Sequence, residues 1–208
     1  MKKLKTEQEK FWAGKFGNEY ITRNENKLLV SSNLNLFSKI LCNTFLPKSV
    51  IEYGANIGLN LIAIKQLLPD AKIDAVEINE RAVKELKKND WINVHHSSIL
   101  DFHPPQQFDF VFTKVVLIHI NPDKLNTVYD LLYSSSKRYI GIFEYYNPTP
   151  MTLSYRGNRQ KLFKRDFASE LMQKYNDLKL INYCFIYHKD SLFPQDDLTC
   201  FLLEKNKK

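Results

Sequence analysis

The 208-residue chain reads as a doubly wound α/β domain, and three features carry that reading. Apolar, β-prone runs at Val50-Ile51, Ala75-Val76, Phe108 to Phe112 and Arg138 to Glu144 alternate with stretches whose apolar residues recur at helical spacing. The first run feeds a turn with glycines at 54 and 58. The last third closes on two β-prone segments, 180–187 and 198–203, with no helical pattern between them. Alternation followed by a hairpin implies a mainly parallel sheet covered by helices on both faces, with an antiparallel closing hairpin.

Each element follows from its own residues. After the glycine turn, Leu59, Ile62, Ala63 and Leu67 mark a helix, and Ala75 to Ile78 a second strand. Residues 80–89 carry Ala82, Val83 and Leu86 on one helical face, and Trp91 to His95 form a short third strand. Asn121-Pro122-Asp123 is a helix start: a side-chain cap, a proline in the first turn and an acid near the positive end of the dipole. Leu125, Val128, Leu131 and Leu132 are the apolar face that follows. Beyond the fifth strand a long loop rich in aromatic and cationic residues leads to a helix over 163–175.

Composition bounds the function. With 44% hydrophobic and 25% charged residues and no Pro/Gly/Ser-rich linker, one globular domain is expected, divided into an amino-terminal helical lid or cap over 1–46 and the main domain over 47–208. Thr6-Glu7-Gln8-Glu9-Lys10 stands where a signal peptide would be apolar, and no run spans a bilayer, so a cytoplasmic protein without membrane contact is expected. Cys42, Cys184 and Cys200, odd in number and widely spaced, read as small core residues rather than disulfides or metal ligands, and no metal is expected. Part of the net charge of +7 sits in the two termini, as in solvated tails.

The glycine turn defines the ligand class. Gly54 allows a sharp turn, the helix after it offers unpaired N–H groups, and Glu77 at the end of the second strand is placed to accept from both hydroxyls of a ribose. A dinucleotide fingerprint would need glycines at 54, 56 and 59, but Asn56 and Leu59 stand there, which disfavours NAD. The run Glu52, Gly54, Asn56, Gly58 resembles the acidic-x-Gly-x-Gly-x-Gly motif of class I S-adenosylmethionine (SAM)-dependent methyltransferases, with Asn56 in the middle glycine's place. The resemblance implies the Rossmann-like seven-stranded sheet of that family, with SAM as cofactor and S-adenosylhomocysteine (SAH) as product. It also implies Ile78 among the cofactor-binding residues, and Ser98 and Ile99 at the adenine, with Ser98 where an aspartate is common.

Ligands of such sheets lie at the carboxyl ends of the strands, which picks out three further segments. After strand four, His119 is a candidate general base because imidazole titrates near neutrality. Thr113-Lys114-Val115-Val116 occupies the place where base-modifying amino-methyltransferases carry Asn/Asp-Pro-Pro-aromatic, which counts against nucleic acid. After strand five, Glu144 and Tyr146 are further catalytic candidates. Tyr145, Tyr155, Arg156 and Arg159 are candidates for substrate, the arginines as bidentate holders of a carboxylate or phosphate. The aromatic stretch Phe11 to Asn24 reads as a lid that excludes water, with Arg23 facing the methionyl carboxylate.

The amino-terminal aromatic stretch, the Glu52 to Gly58 turn, Val116 to Pro122 and the segment from Tyr155-Arg156-Gly157-Asn158 to Lys164-Arg165-Asp166-Phe167 together resemble the pseudaminic acid biosynthesis-associated methylases. That bacterial family is found with genes for surface sugars. It implies methyl transfer to an oxygen or nitrogen of a small, acidic sugar-pathway metabolite. The rival readings are an RNA methyltransferase, which the basic balance permits, and a SAM-binding module without catalysis.

Overall fold

The computed structural model describes residues 4–23, 28–42 and 44–206. Asn24, at the end of the expected lid, and the outermost lysines of both tails lie outside them. The strands are β1 (Ser49–Tyr53), β2 (Lys72–Glu77), β3 (Ile92–His96), β4 (Phe108–Lys114), β5 (Ser136–Glu144), β6 (Met151–Tyr155), β7 (Asn158–Lys164), β8 (Leu178–Ile186) and β9 (Leu198–Lys205). Seven of them form one sheet in the order β3-β2-β1-β4-β5-β9-β8, parallel from β3 to β5, with β9 antiparallel to both of its neighbours.

The helices are α1 (Glu7–Ala13), α2 (Lys15–Arg23), α3 (Leu28–Leu41), α4 (Leu59–Leu67), α5 (Glu80–Leu86), α6 (Leu125–Ser135) and α7 (Phe167–Lys174). They cover both faces of the sheet. On one side Leu36, Phe37 and Ile40 of α3 and Leu61 and Ile64 of α4 pack on Phe112 and Phe143. On the other, Val128 and Leu132 of α6 and Phe167 and Leu171 of α7 pack on Val111, Ile140 and Leu203. Two buried faces explain why the parallel strands are continuous apolar runs. α3 thus belongs to the main core, while its Leu29 and Asn33 reach the strand ends together with α1 and α2.

Three expectations are corrected. The stretch expected as a loop after β5 contains a second sheet, the hairpin β6–β7. Its Arg156-Gly157 tip has left-handed backbone at both residues (φ 47° and 81°), as a two-residue hairpin turn matched to strand twist requires. The helix expected from 163 starts at Phe167, because β7 runs to Lys164 and Asp166 caps α7 by accepting from the Ser169 N–H at 2.9 Å. Cys42 is exposed, not a core residue, whereas Cys200 is buried. Among the described residues no helix is long and apolar enough to cross a membrane, and no group of three or more His, Cys, Asp or Glu could hold a metal ion.

Candidate active site

A cavity of about 550 Å³ opens at the carboxyl ends of the parallel strands, walled by the turn after β1, the ends of β2 and β4, and α1. At its centre the Gly54 to Gly58 turn is built by left-handed backbone at Gly54, Asn56 and Gly58. A Cβ on Gly54 would come within 2.6 Å of Val116, so glycine is required there by space as well as by φ. Asn56 (φ 48°) fills the middle glycine's place because asparagine tolerates that conformation. Gly58 lies behind the turn, where a Cβ would meet Leu86 at 2.8 Å, so it packs helix against sheet and does not border the cavity.

Glu77 is anchored before any ligand arrives. Its two oxygens accept from the backbone N–H groups of Asn56 and Asn79, each at 2.7 Å. Burial pushes its pKa up, against those two hydrogen bonds. Each oxygen keeps a lone pair, and Glu77 and Ile78 both line the cavity. Glu52 lies deeper. Burial pushes its pKa up to about 8; Oε1 accepts from Asn60 Nδ2 at 2.6 Å, and Oε2 is buried with no partner.

Ser98 and Ile99 also line the cavity, but the Ser98 hydroxyl donates to Glu9 Oε1 at 2.5 Å. Glu9 therefore brings a buried carboxylate from α1 to the place where the family's aspartate is absent. The same side chain closes the Thr6–Glu9 capping box of α1. The signal for Glu9 was present in Thr6-x-x-Glu9 ahead of an aromatic run, but it announces a helix start and not a cavity wall.

The opposite wall holds Lys114, Val115, Gln195 and Asp196, which sequence reasoning missed. Lys114 Nζ donates to Asn33 Oδ1 at 2.9 Å, and burial pushes its pKa down. Its position at the carboxyl end of β4 was the available signal; Gln195, in the turn before β9, offered none. Val115 has φ 58°, a strained value for a β-branched residue, held by its N–H donating to the Phe143 carbonyl at 2.9 Å.

His119 lies in a single 3₁₀ turn, Leu117–His119, and is 4% exposed. Its ring packs between Trp12 and Tyr155, with centroids 4.6 and 4.8 Å away. Nδ1 faces the Lys161 carbonyl at 2.6 Å and must carry the proton; Nε2 is buried and unpartnered. Burial lowers its pKa to about 4, so the ring is neutral at physiological pH.

The remaining expected residues fall elsewhere. Glu144 does not border the cavity: its carboxylate accepts from the N–H groups of Val116 and Leu117 at 3.0 Å and Ile118 at 3.4 Å, capping the turn that carries His119. Tyr145 donates its hydroxyl to Asp196 at 2.7 Å and so supports the wall from behind. Tyr146 is 40% exposed and bridges to Arg165. Arg23 is exposed, with its guanidinium over the rings of Phe16 and Tyr20, not in the cavity. Tyr155 touches His119 from outside the cavity, while Arg156 and Arg159 are exposed on the hairpin. The hairpin turns its apolar edge inward and its arginines outward, which sequence spacing did not reveal.

No family model matches the chain. Two curated tRNA1(Val) (adenine(37)-N6)-methyltransferases are similar to part of it. The protein of Vibrio parahaemolyticus is 33% identical over 88 residues, covering 39% of this chain and 34% of that protein. That of Vibrio campbellii is 28% identical over 74 residues, covering 32% and 31%. The matched region thus spans about a third of the length of these relatives. Among solved structures, the 1,6-didemethyltoxoflavin-N1-methyltransferase of Burkholderia thailandensis superposes with a TM-score of 0.68 at 11% identity, over 92% of this chain and 84% of the other. The magnesium protoporphyrin IX methyltransferase of Synechocystis gives 0.68 at 11%, over 98% and 100%. An N-methyltransferase from Bradyrhizobium japonicum gives 0.64 at 13%, over 91% and 98%. At these identities the likeness is one of fold: the chain has the Rossmann-like fold that these SAM-dependent methyltransferases share.

Proposed function

We propose that the chain is a SAM-dependent methyltransferase that transfers the methyl group to an oxygen or nitrogen of a small sugar-pathway metabolite. One observation carries the cofactor: Glu77, pre-anchored on the turn after β1, keeps a free lone pair on each oxygen at the wall of a cavity of about 550 Å³, room enough for a nucleoside. Glu77 would take the ribose hydroxyls, Gly54 and Asn56 the methionyl chain, and Ile78, Ser98 and Ile99 the adenine. The Trp12-bearing α1 and α2 form the cap that excludes water. Solved structures of similar fold with SAM or SAH bound support the same cofactor.

The protein's part in the reaction is mainly alignment. Methyl transfer is a direct displacement, so a cavity that holds the acceptor in line with the sulfonium lowers the barrier by orientation. His119, neutral with a bare Nε2, would receive the proton that the acceptor loses.

The surface-sugar acceptor rests on the resemblance of the outer motifs. Its expected acid group loses the arginine clamp, because Arg156 and Arg159 face outward; Lys114 is the cation in the cavity wall. RNA methylation is the second reading, favoured by the local similarity to the tRNA methyltransferases and opposed by Thr113-Lys114-Val115-Val116 in place of the base-modifying motif. Calorimetry with SAH, followed by transfer from labelled SAM to sugar phosphates, sugar nucleotides and tRNA, separates them. Failure to bind SAH would overturn the methyltransferase reading, and transfer to tRNA alone would favour the second.

A further inference from the structure

We propose that Cys184 and Cys200 form a redox modification site, which a peroxide converts into a reversible cross-strand disulfide at the base of a cavity-wall loop.

The β8–β9 hairpin joins two cysteines that the sequence keeps apart. Cys184 and Cys200 are direct partners in its antiparallel register. Such partners send their side chains to the same face, with Cα atoms about 4.5 to 5.5 Å apart. A disulfide spans about 4.4 to 6.8 Å between Cα atoms, so the bond can close without moving either strand. The shared face lies under α3. Cys200 belongs to the core there with Phe37 and Ile40, and Cys184 packs against that core from the neighbouring strand. Asn182, on the same face of β8, donates to the Lys39 and Ile40 carbonyls at 3.0 and 3.1 Å and pins the strand to the end of α3.

Their surroundings divide the work between the two thiols. β8 is an edge strand of the sheet, and Cys184 is half-buried on it, within reach of a small oxidant. The Cys200 thiol beside it draws its pKa down against the effect of burial, with help from Lys39. A thiolate is the reactive form, so Cys184 is the sulfur that meets the peroxide. Cys200 is fully buried, and Cys184 and burial together push its pKa up. It serves as the resolving thiol.

In the first step the Cys184 thiolate attacks one peroxide oxygen. The S–O bond forms as the O–O bond breaks, and the leaving hydroxide takes up a proton to become water. Cys200 sulfur then attacks the Cys184 sulfenic sulfur. The S–S bond forms as the S–O bond breaks, and the hydroxide leaves as water with the proton of Cys200. The thiols together lose two electrons, which reduce one peroxide to two waters, and an added dithiol reverses the change by exchange.

The bond would close the segment 185–199, a loop of about 15 residues. His188, Pro194, Gln195 and Asp196 within it line the cavity, and the Pro194 carbonyl accepts from the Ser32 hydroxyl of α3 at 3.2 Å. Oxidation would thus tie off the base of one cavity wall and restrain the unfolded chain.

The test treats the folded full chain with hydrogen peroxide, blocks remaining thiols with N-ethylmaleimide and maps the digest by mass spectrometry. The expected product is a 184–200 linked peptide, at least ~10-fold more abundant than any link to Cys42 and lost on treatment with dithiothreitol. The oxidised chain should melt at least ~3 °C higher than the reduced one. Cys184→Ser, at the half-buried position, should leave Cys200 reduced and the melting temperature unmoved by peroxide. Cys200→Ser should instead accumulate a sulfenic acid at Cys184 that dimedone traps. Oxidation that stops on Cys184 with Cys200 still free in the parent chain, links to Cys42 in equal yield, or a 184–200 link that forms only in urea would overturn the inference. A linked chain that melts no higher than the reduced one would overturn the tie across the loop.

Discussion

Lys114 and Glu77 show how single side chains divide the work of the site. Lys114 donates to the neutral Asn33, and no carboxylate lies within ion-pair distance of it among the described residues. A cation so placed fits the carboxylate of the methionyl group better than Arg23 does. Lys114→Met should therefore weaken SAH by about 1.5 to 3 kcal/mol and leave 5′-methylthioadenosine, which lacks that carboxylate, unaffected; titration calorimetry with the two ligands decides it. Equal losses for both would remove Lys114 from the methionyl end. Glu77→Ala should cost SAH roughly 2 to 3 kcal/mol, and also lower fold stability by about 1 to 3 kcal/mol, because the N–H groups of Asn56 and Asn79 lose their acceptor. Chemical denaturation of the unliganded variant reads the second effect apart from the first.

At the scale of elements, the β6–β7 hairpin is the piece that joins α1 to the His119 turn: its Gln160 carbonyl accepts from Gln8 Nε2 at 3.0 Å and its Lys161 carbonyl from His119 Nδ1 at 2.6 Å. Its bulge is held by Gln160 in left-handed backbone, a conformation that a β-branched residue adopts only under strain. Gln160→Val should lower stability by about 1 to 3 kcal/mol and methyl transfer with it, whereas Gln160→Gly should fold normally, as denaturant melts would show. A valine variant as stable as the parent would mean that the bulge relaxes freely and does not position Gln8 and His119. Glu144 acts at this scale too. It binds three successive N–H groups of the His119 turn, so its charge is spent on holding a loop, not on the acceptor.

The whole molecule carries its functional burial as a pH profile. Glu52 has its pKa raised from 4.5 to about 8, so its contribution is present below pH 4.5 and is lost as pH rises through about 8. His119 has its pKa lowered from 6.5 to about 4. The unfolded chain binds more protons in that window, so this contribution is present above pH 6.5 and lost as pH falls through about 4. Glu144, which burial raises from 4.5 to about 7, adds to the alkaline loss, so the three groups together place the highest melting temperature near pH 4.5 with a decline on both sides. Glu52→Gln, which keeps an acceptor for Asn60, should flatten the alkaline limb, and an unchanged limb would assign that loss to other groups.

The sequence by itself determined the sheet, the turn and the base of the site. Apolar periodicity fixes strands and helices locally, and Glu52, Gly54, Asn56 and Glu77 lie within 26 residues, so their geometry follows from one βαβ unit. The tertiary structure alone decided what surrounds them. Gln8 and Glu9, Lys114 and His119, and Gln195 meet from three segments far apart in sequence. Which way the hairpin turned its arginines also depended on packing: Tyr155 fits against Trp12 and His119, and Arg156 and Arg159 are left to solvent. Spacing along the chain records neither the bulge at Gln160 nor the burial that leaves His119 neutral, because both arise only when α1, the 3₁₀ turn and β7 close on one another.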